Sequence, residues 1–174
     1  MTVYANKALI MNIRYARETD LPSIVDIYNA AVPGRLATAD LEPVSPQSRL
    51  DWFRAHSPGK HPIWVVDDRD RVSGWLSLHE FYGRPAYYKT AEVSIYIDPA
   101  YQRQGLGKEL LRSAIAQCPS LEIHTLLGFI FGHNHASLKL FTSCGFQHWG
   151  CMPRIAELDG IERDLIVMGL RLTD

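Results

Sequence analysis

Apolar and polar positions alternate through MNIRYARETD, residues 11–20, a period that predicts an opening strand. Thr19 then stands where it can cap a helix over DLPSIVDIYNAAV, in which Leu21, Ile24, Val25, Ile27 and Tyr28 recur at helical spacing. VPGRLATADLEPVSPQS is rich in Pro, Gly, Ser and Thr and predicts a long loop, followed by a short helix in PQSRLDWFRAH with Leu50 and Phe53 on one side. HPIWVVDDRDRVSGWLSLHEF predicts two strands joined by a polar turn from Asp67 to Arg71, and YYKTAEVSIYIDP a further strand. The next helix begins near Gly105, with a stripe of Leu106, Leu110, Leu111, Ala114 and Ile115. IHTLLGFIFG predicts a buried strand, NHASLKLFTSC a short helix and GFQHWGCM another strand. In IAELDGIERDLIVMGLRL, Asp159-Gly160 marks a turn between two extended stretches. The expected architecture is a sheet with a few covering helices in one domain, residues 11–174, preceded by an extension over residues 1–10.

The bulk numbers narrow the class. The 174 residues are 47% hydrophobic, enough for one substantial core, and the formal net charge of -1 supplies no global basic field for nucleic acid or an anionic membrane. Three cysteines, Cys118, Cys144 and Cys151, are an odd count without CxxC spacing, and no secretion signal or long apolar run stands out. These features predict reduced thiols in a cytoplasmic protein with no membrane span. Any anion must be held by local geometry.

AYQRQGLGKELL, residues 100–111, is the strongest local signal. A P-loop would need glycine at Gln102 and Ser or Thr at Glu109; a dinucleotide fingerprint would need glycine at Leu110 and an earlier place in the chain. The remaining pattern is [QR]-x-x-G-x-[GA], carried by Gln102, Gly105 and Gly107. A helix N-terminus presents free N–H groups and partial positive charge, so a pyrophosphate can sit there if no Cβ blocks it. Gln102, Arg103, Gln104 and Lys108 can add donors. On its own the stretch fits equally a glycine-capped turn with solvated basic neighbours.

With NHASLKLFTSCGF further on, and with the element order around them, the sequence resembles the GCN5-related N-acetyltransferase (GNAT) family from Asn12 to Leu172. Within it, YGRPAYYKTAEVSIYIDPAYQRQGLG and DGIERDLIVMGL are similar to the phosphinothricin and methionine sulfoximine acetyltransferases. The resemblance implies an α/β fold with a mixed, mostly antiparallel central sheet flanked by helices, acetyl-CoA as co-substrate, a small amino-acid-like acceptor and a homodimer. It further implies that acetyl-CoA lies along Val93, Ile95 and Ile97, with its pyrophosphate at Gln102, Arg103, Gln104, Gly105, Leu106, Gly107 and Lys108. Asn134, Ser137 and Phe141 would line its thiol end.

Acetyl transfer to an amine needs a base, oxyanion donors and a proton for the departing thiolate. The subgroup resemblance makes Glu92 the base. In AEVSIYI, Glu92 shares a face with Ser94 and Tyr96, which also fits an exposed strand carboxylate. The family's usual acid is a tyrosine seven residues after the motif asparagine, where this chain has Phe141, which has no proton to donate. His133 and His135 flank Asn134 but fit surface or capping roles as well, and as an H-x-H pair they lack a third ligand, so no metal is expected. Cys144 has no adjacent base and fits a small core residue. Arg84 suits an acceptor carboxylate, by its forked guanidinium and by the resemblance, with Phe81 and Tyr87 as pocket walls and Arg35 as a second anion ligand. The alternatives are transfer to another amine, such as a polyamine or a protein N-terminus, and a non-catalytic acyl-CoA-binding module.

Overall fold

A computed structural model describes residues 12–68 and 71–173. The extension expected over residues 1–10 and the tip of the Asp67–Arg71 turn lie outside the described residues. Seven strands form one sheet: β1 (Asn12–Tyr15), β2 (Ile63–Asp68), β3 (Arg71–Glu80), β4 (Thr90–Ile97), β5 (Thr125–Phe131), β6 (Gln147–Leu158) and β7 (Ile161–Arg171). Their spatial order is β1-β2-β3-β4-β5-β7-β6. Only β4 and β5 run parallel, as a crossover through a helix requires. The mixed, mostly antiparallel sheet agrees with expectation.

Among the described residues, four α-helices cover the two faces. Ile24 and Ile27 of α1 (Leu21–Ala31) and Trp52 and Phe53 of α2 (Leu50–Arg54) pack over Ile63, Val65 and Trp75 on one side. Leu106, Leu110, Leu111 and Ala114 of α3 (Leu106–Gln117), with Phe141 of α4 (His135–Ser143), pack over Leu76, Leu78, Val93 and Leu126 on the other. Leu110 and Leu111 have no exposure, and each such leucine is stabilised by roughly 2 kcal/mol of transfer free energy.

Two local expectations change. Thr19 does not cap α1: a 3-10 turn over Glu18–Asp20 precedes the helix, and Asp20 occupies the cap position. A Thr19 cap would aim its hydroxyl at the N–H of Leu21 or Pro22, and proline has none. The strand predicted to end at Met152 continues through Pro153 to Leu158, with an irregular register between Met152 and Ala156. β6 is an edge strand, where a residue without an N–H is tolerated.

Candidate active site

β4 and β5 pair only at Thr90↔Thr125, Ala91↔Leu126 and Glu92↔Leu127, although both strands continue. Beyond Glu92 they diverge, and the main-chain groups that residues 93–97 direct toward β5 have no strand partner there. The divergence opens a V-shaped gap between two neighbouring strands in the middle of the sheet. Glu92 stands at its apex.

A groove of about 710 Å³ runs from this opening to the glycine turn, lined by Ile95, Ile97, Gln102, Arg103, Gly105, Leu106, Gly107, Lys108, Asn134 and Ser137. Gly105 is the cap residue of α3 at φ +85°, a left-handed conformation that a side chain would strain. At Gly107 a Cβ would stand 3.3 Å from Leu140 Cδ2, a tight contact that the leucine tip would have to yield to. Gln102 and Gln104 donate to the carbonyls of Ile97 and Ala100, both at 3.2 Å, so these two amides brace the turn. The first-turn N–H groups of α3 face the groove, an arrangement suited to a pyrophosphate.

A second cavity, of about 260 Å³, occupies the opening itself and is lined by Glu92, Val93, Ser94, Ile95, Phe129, Phe131, Asn134, Ser137 and Phe141 among others. Burial raises the Glu92 carboxyl above its ordinary pKa. Phe141 is 2% exposed, packed edge-on to Phe146 and seated over Gly128 of β5, a position where any Cβ would collide with its ring. Its ring contributes packing and no proton.

Leu36 and Ala37 line both voids. They belong to a strap over residues 35–37 whose three carbonyls are each fastened by a side chain: Arg35 O by His133 Nε2 at 2.8 Å, Leu36 O by Asn134 Nδ2 at 3.0 Å and Ala37 O by Tyr96 Oη at 3.0 Å. Asn134 also accepts the Ser137 N–H, so both of its amide atoms are already engaged in shaping the site.

The chain from residue 21 to residue 146 matches the family model described as "Acetyltransferase (GNAT) family". The chain belongs to this family. Among GNAT proteins, YwnH of Bacillus subtilis (strain 168), provisionally named a phosphinothricin acetyltransferase, is 48% identical over 94% of this chain and 100% of its own. The L-methionine sulfoximine/L-methionine sulfone acetyltransferase of Salmonella typhimurium (strain LT2) is 32% identical over 94% and 95%. The solved Salmonella typhimurium protein yncA, with its cofactor acetyl-CoA, superposes at a TM-score of 0.88 with 32% identity, covering 94% of this chain and 95% of that one.

The remaining candidates of this GNAT chain lie apart from the groove. Arg84 precedes a 3-10 turn over Pro85–Tyr87 and, with the half-exposed Tyr87, lines none of these cavities. Phe81 bridges the two regions, in ring contact with Tyr87 at 5.4 Å and stacked on Phe129 at 6.4 Å. Arg35 pairs with Asp159 at 2.9 Å and donates to Leu41 O at 2.7 Å, which commits it to fastening the strap. Among the described residues no group of three or more His, Cys, Asp or Glu is arranged for a metal ion, and no helix is long and apolar enough to cross a membrane.

Sequence reasoning missed Ser77, His79 and Trp52. They line a third cavity, of about 160 Å³, which shares Ser94 and Tyr96 with the Glu92 cavity. No motif announces them: Ser77 and His79 share one face of β3, and Trp52 reaches His79 from α2 through tertiary packing.

Proposed function

We propose that this enzyme transfers acetyl from acetyl-CoA to the α-amino group of a small amino acid or analogue of the phosphinothricin, methionine sulfoximine or methionine sulfone kind. The observation that carries the proposal is the divergence of β4 and β5 at a half-buried carboxylate of raised pKa. The names borne by YwnH and by the Salmonella enzyme supply the acceptor class.

The acceptor arrives as an ammonium ion. Glu92, directly or through a water, removes one proton; the free amine attacks the thioester carbon, and its C=O becomes an oxyanion met by main-chain N–H groups near Val93 to Ile95. Collapse breaks the C–S bond, the amide nitrogen loses its second proton, and the CoA thiolate takes a proton from water, since Phe141 has none to give. Burial raises the carboxyl's proton affinity and so makes Glu92 a better base than a solvated glutamate. Acetyl-CoA supplies the activated acyl group, and Gly105, Gly107 and the first turn of α3 hold its pyrophosphate.

Arg84 takes the acceptor carboxylate as a bidentate partner, with Tyr87 and Phe81 beside it. The active species is a homodimer; β6 at the sheet edge, with exposed Trp149 and Ile155, offers a surface for a second copy. Sedimentation at two protein concentrations checks this.

The deciding experiment measures CoA release with methionine sulfone, methionine sulfoximine, phosphinothricin, spermidine and short peptides. Release with the amino-acid analogues alone is expected. Release only with polyamines or peptides would replace the acceptor class, and binding of acetyl-CoA without release on any amine would leave a binding module. Arg84→Ala should raise KM for carboxylate-bearing acceptors selectively.

A further inference from the structure

Leu36, Ala37, Ile95, Tyr96, Asn134 and Ser137 line both the groove beside α3 and the Glu92 cavity, and so mark where the two voids join. Three of these residues carry polar side chains, and two of the three are committed. Tyr96 Oη donates to Ala37 O and Asn134 Nδ2 to Leu36 O, both at 3.0 Å. The third is Ser137, partly buried in the first turn of α4. Its N–H is held 3.1 Å from Asn134 Oδ1, which fixes the backbone that carries the side chain. Among the described residues its hydroxyl has no hydrogen-bond partner.

We infer that the Ser137 hydroxyl donates a hydrogen bond to the CoA sulfur and stabilises the thiolate as the C–S bond breaks. The inference rests on the acetyl-transfer reading above. With the pyrophosphate at the first turn of α3 and the thioester carbon at Glu92, the sulfur bonded to that carbon lies at the junction of the two voids. Negative charge develops on two different atoms during transfer. Main-chain N–H groups near Val93 to Ile95 meet the carbonyl oxygen, and a separate donor is needed where the C–S electron pair arrives on sulfur.

Phe141 follows one turn after Ser137 on the same face of α4 and also lines the Glu92 cavity, but it presents only carbon to the leaving group. Ser137 keeps its proton, because an alcohol is a far weaker acid than a thiol. The thiolate departs hydrogen-bonded to the hydroxyl and afterwards takes its proton from water. The partial positive charge at the start of α4 favours the same anion. A donor that is partly buried competes with less water than an exposed one, so its bond to a charged sulfur carries more weight.

Free CoA and desulfo-CoA, which carries hydrogen in place of the thiol, isolate this contact. A donor at sulfur favours the thiolate, so the bound thiol should titrate below its ordinary pKa of about 8.5, and CoA should gain affinity over desulfo-CoA as pH rises. Calorimetric titration of the parent at pH 7 and pH 9 should show the ratio of the two affinities increase about fivefold. Ser137→Ala should cut that increase to about twofold or less; alanine is the stronger helix former, so α4 persists. No increase in the parent, or the same increase in the variant, would overturn the inference. In turnover with methionine sulfone the variant should lose roughly tenfold in kcat with little change in KM for acetyl-CoA. A change confined to KM would make Ser137 a binding contact and would also overturn it. A pH-dependent ratio that Ser137→Ala removes, without CoA release on any amine in the parent, would remove the transfer reading and leave the contact to sulfur standing.

Discussion

The groove beside α3 and the acceptor side of the site share Tyr96 in their linings but are made from different materials. The groove is a backbone structure: a left-handed glycine, a helix N-terminus, freed strand groups and apolar walls. The acceptor side is a side-chain structure: Glu92, Ser77, His79, Arg49 and two tryptophans, with Glu92 and His79 both shifted by burial. A backbone site recognises what every acetyl-CoA shares. A side-chain site can be retuned one residue at a time, so under the proposed function acceptor choice would reside there.

Substitutions can pull the two halves apart. Glu92→Gln should have the largest effect, lowering kcat roughly 100-fold or more while KM for acetyl-CoA stays put. Because the Glu92 pKa is raised, the parent's kcat/KM should climb with pH through a value above the ordinary carboxylate range, and the variant should lack that limb. The same substitution should raise the melting temperature at pH 7.5. Below the unfolded carboxyl's pKa both states are protonated and the gain vanishes; above the folded pKa the parent keeps a half-buried charge that its unfolded chain would hydrate.

Gly107→Val should do the reverse of Glu92→Gln. Its side chain would crowd Leu140 and the pyrophosphate position, raising KM for acetyl-CoA about tenfold and sparing KM for the acceptor. A change in acceptor KM of the same size would mean that the halves are not separable.

The acceptor side alone should register acid. Burial lowers the pKa values of His56, His61 and His79, so the unfolded chain takes up protons first as pH falls below about 6.5. Stability is retained above that value and lost toward pH 4, by on the order of 1–2 kcal/mol for His79 between pH 7 and pH 5. Urea midpoints at the two pH values check this, with His79→Gln expected to flatten the slope.

Arg35→Ala should be the mildest. Its ion pair with Asp159 is largely solvated, so the melting temperature should fall by about 2 °C. Acceptor KM should stay unchanged, whereas a selective rise would return Arg35 to anion binding.

The same division explains what the sequence disclosed. Gly105 is forced by a local dihedral angle, so a six-residue motif reveals it, whereas the contact that Gly107 relieves is with Leu140 on α4 and shows only in the folded chain. Asn134 was legible as a site residue, but only the folded chain shows both of its amide atoms bound to Ser137 and Leu36. Ser77 and Ser94 stand 17 positions apart along the chain (94 minus 77) and oppose each other through strand register, which no local pattern specifies. The divergence of β4 and β5 is equally silent, since both strands read as ordinary β-forming runs.

The strap over residues 35–37 carries a consequence for how the family can vary. Three of its fastenings use carbonyl oxygens, which every residue possesses, so the side chains of Leu36 and Ala37 are free to vary, whereas Arg35 is held by Asp159 and Leu41 O. The constraint is displaced onto the donors at His133, Asn134 and Tyr96, on elements remote in sequence. Substitutions at 36 and 37 would therefore leave it closed, while a change at one of those three distant donors would loosen a segment that borders both the groove and the Glu92 cavity.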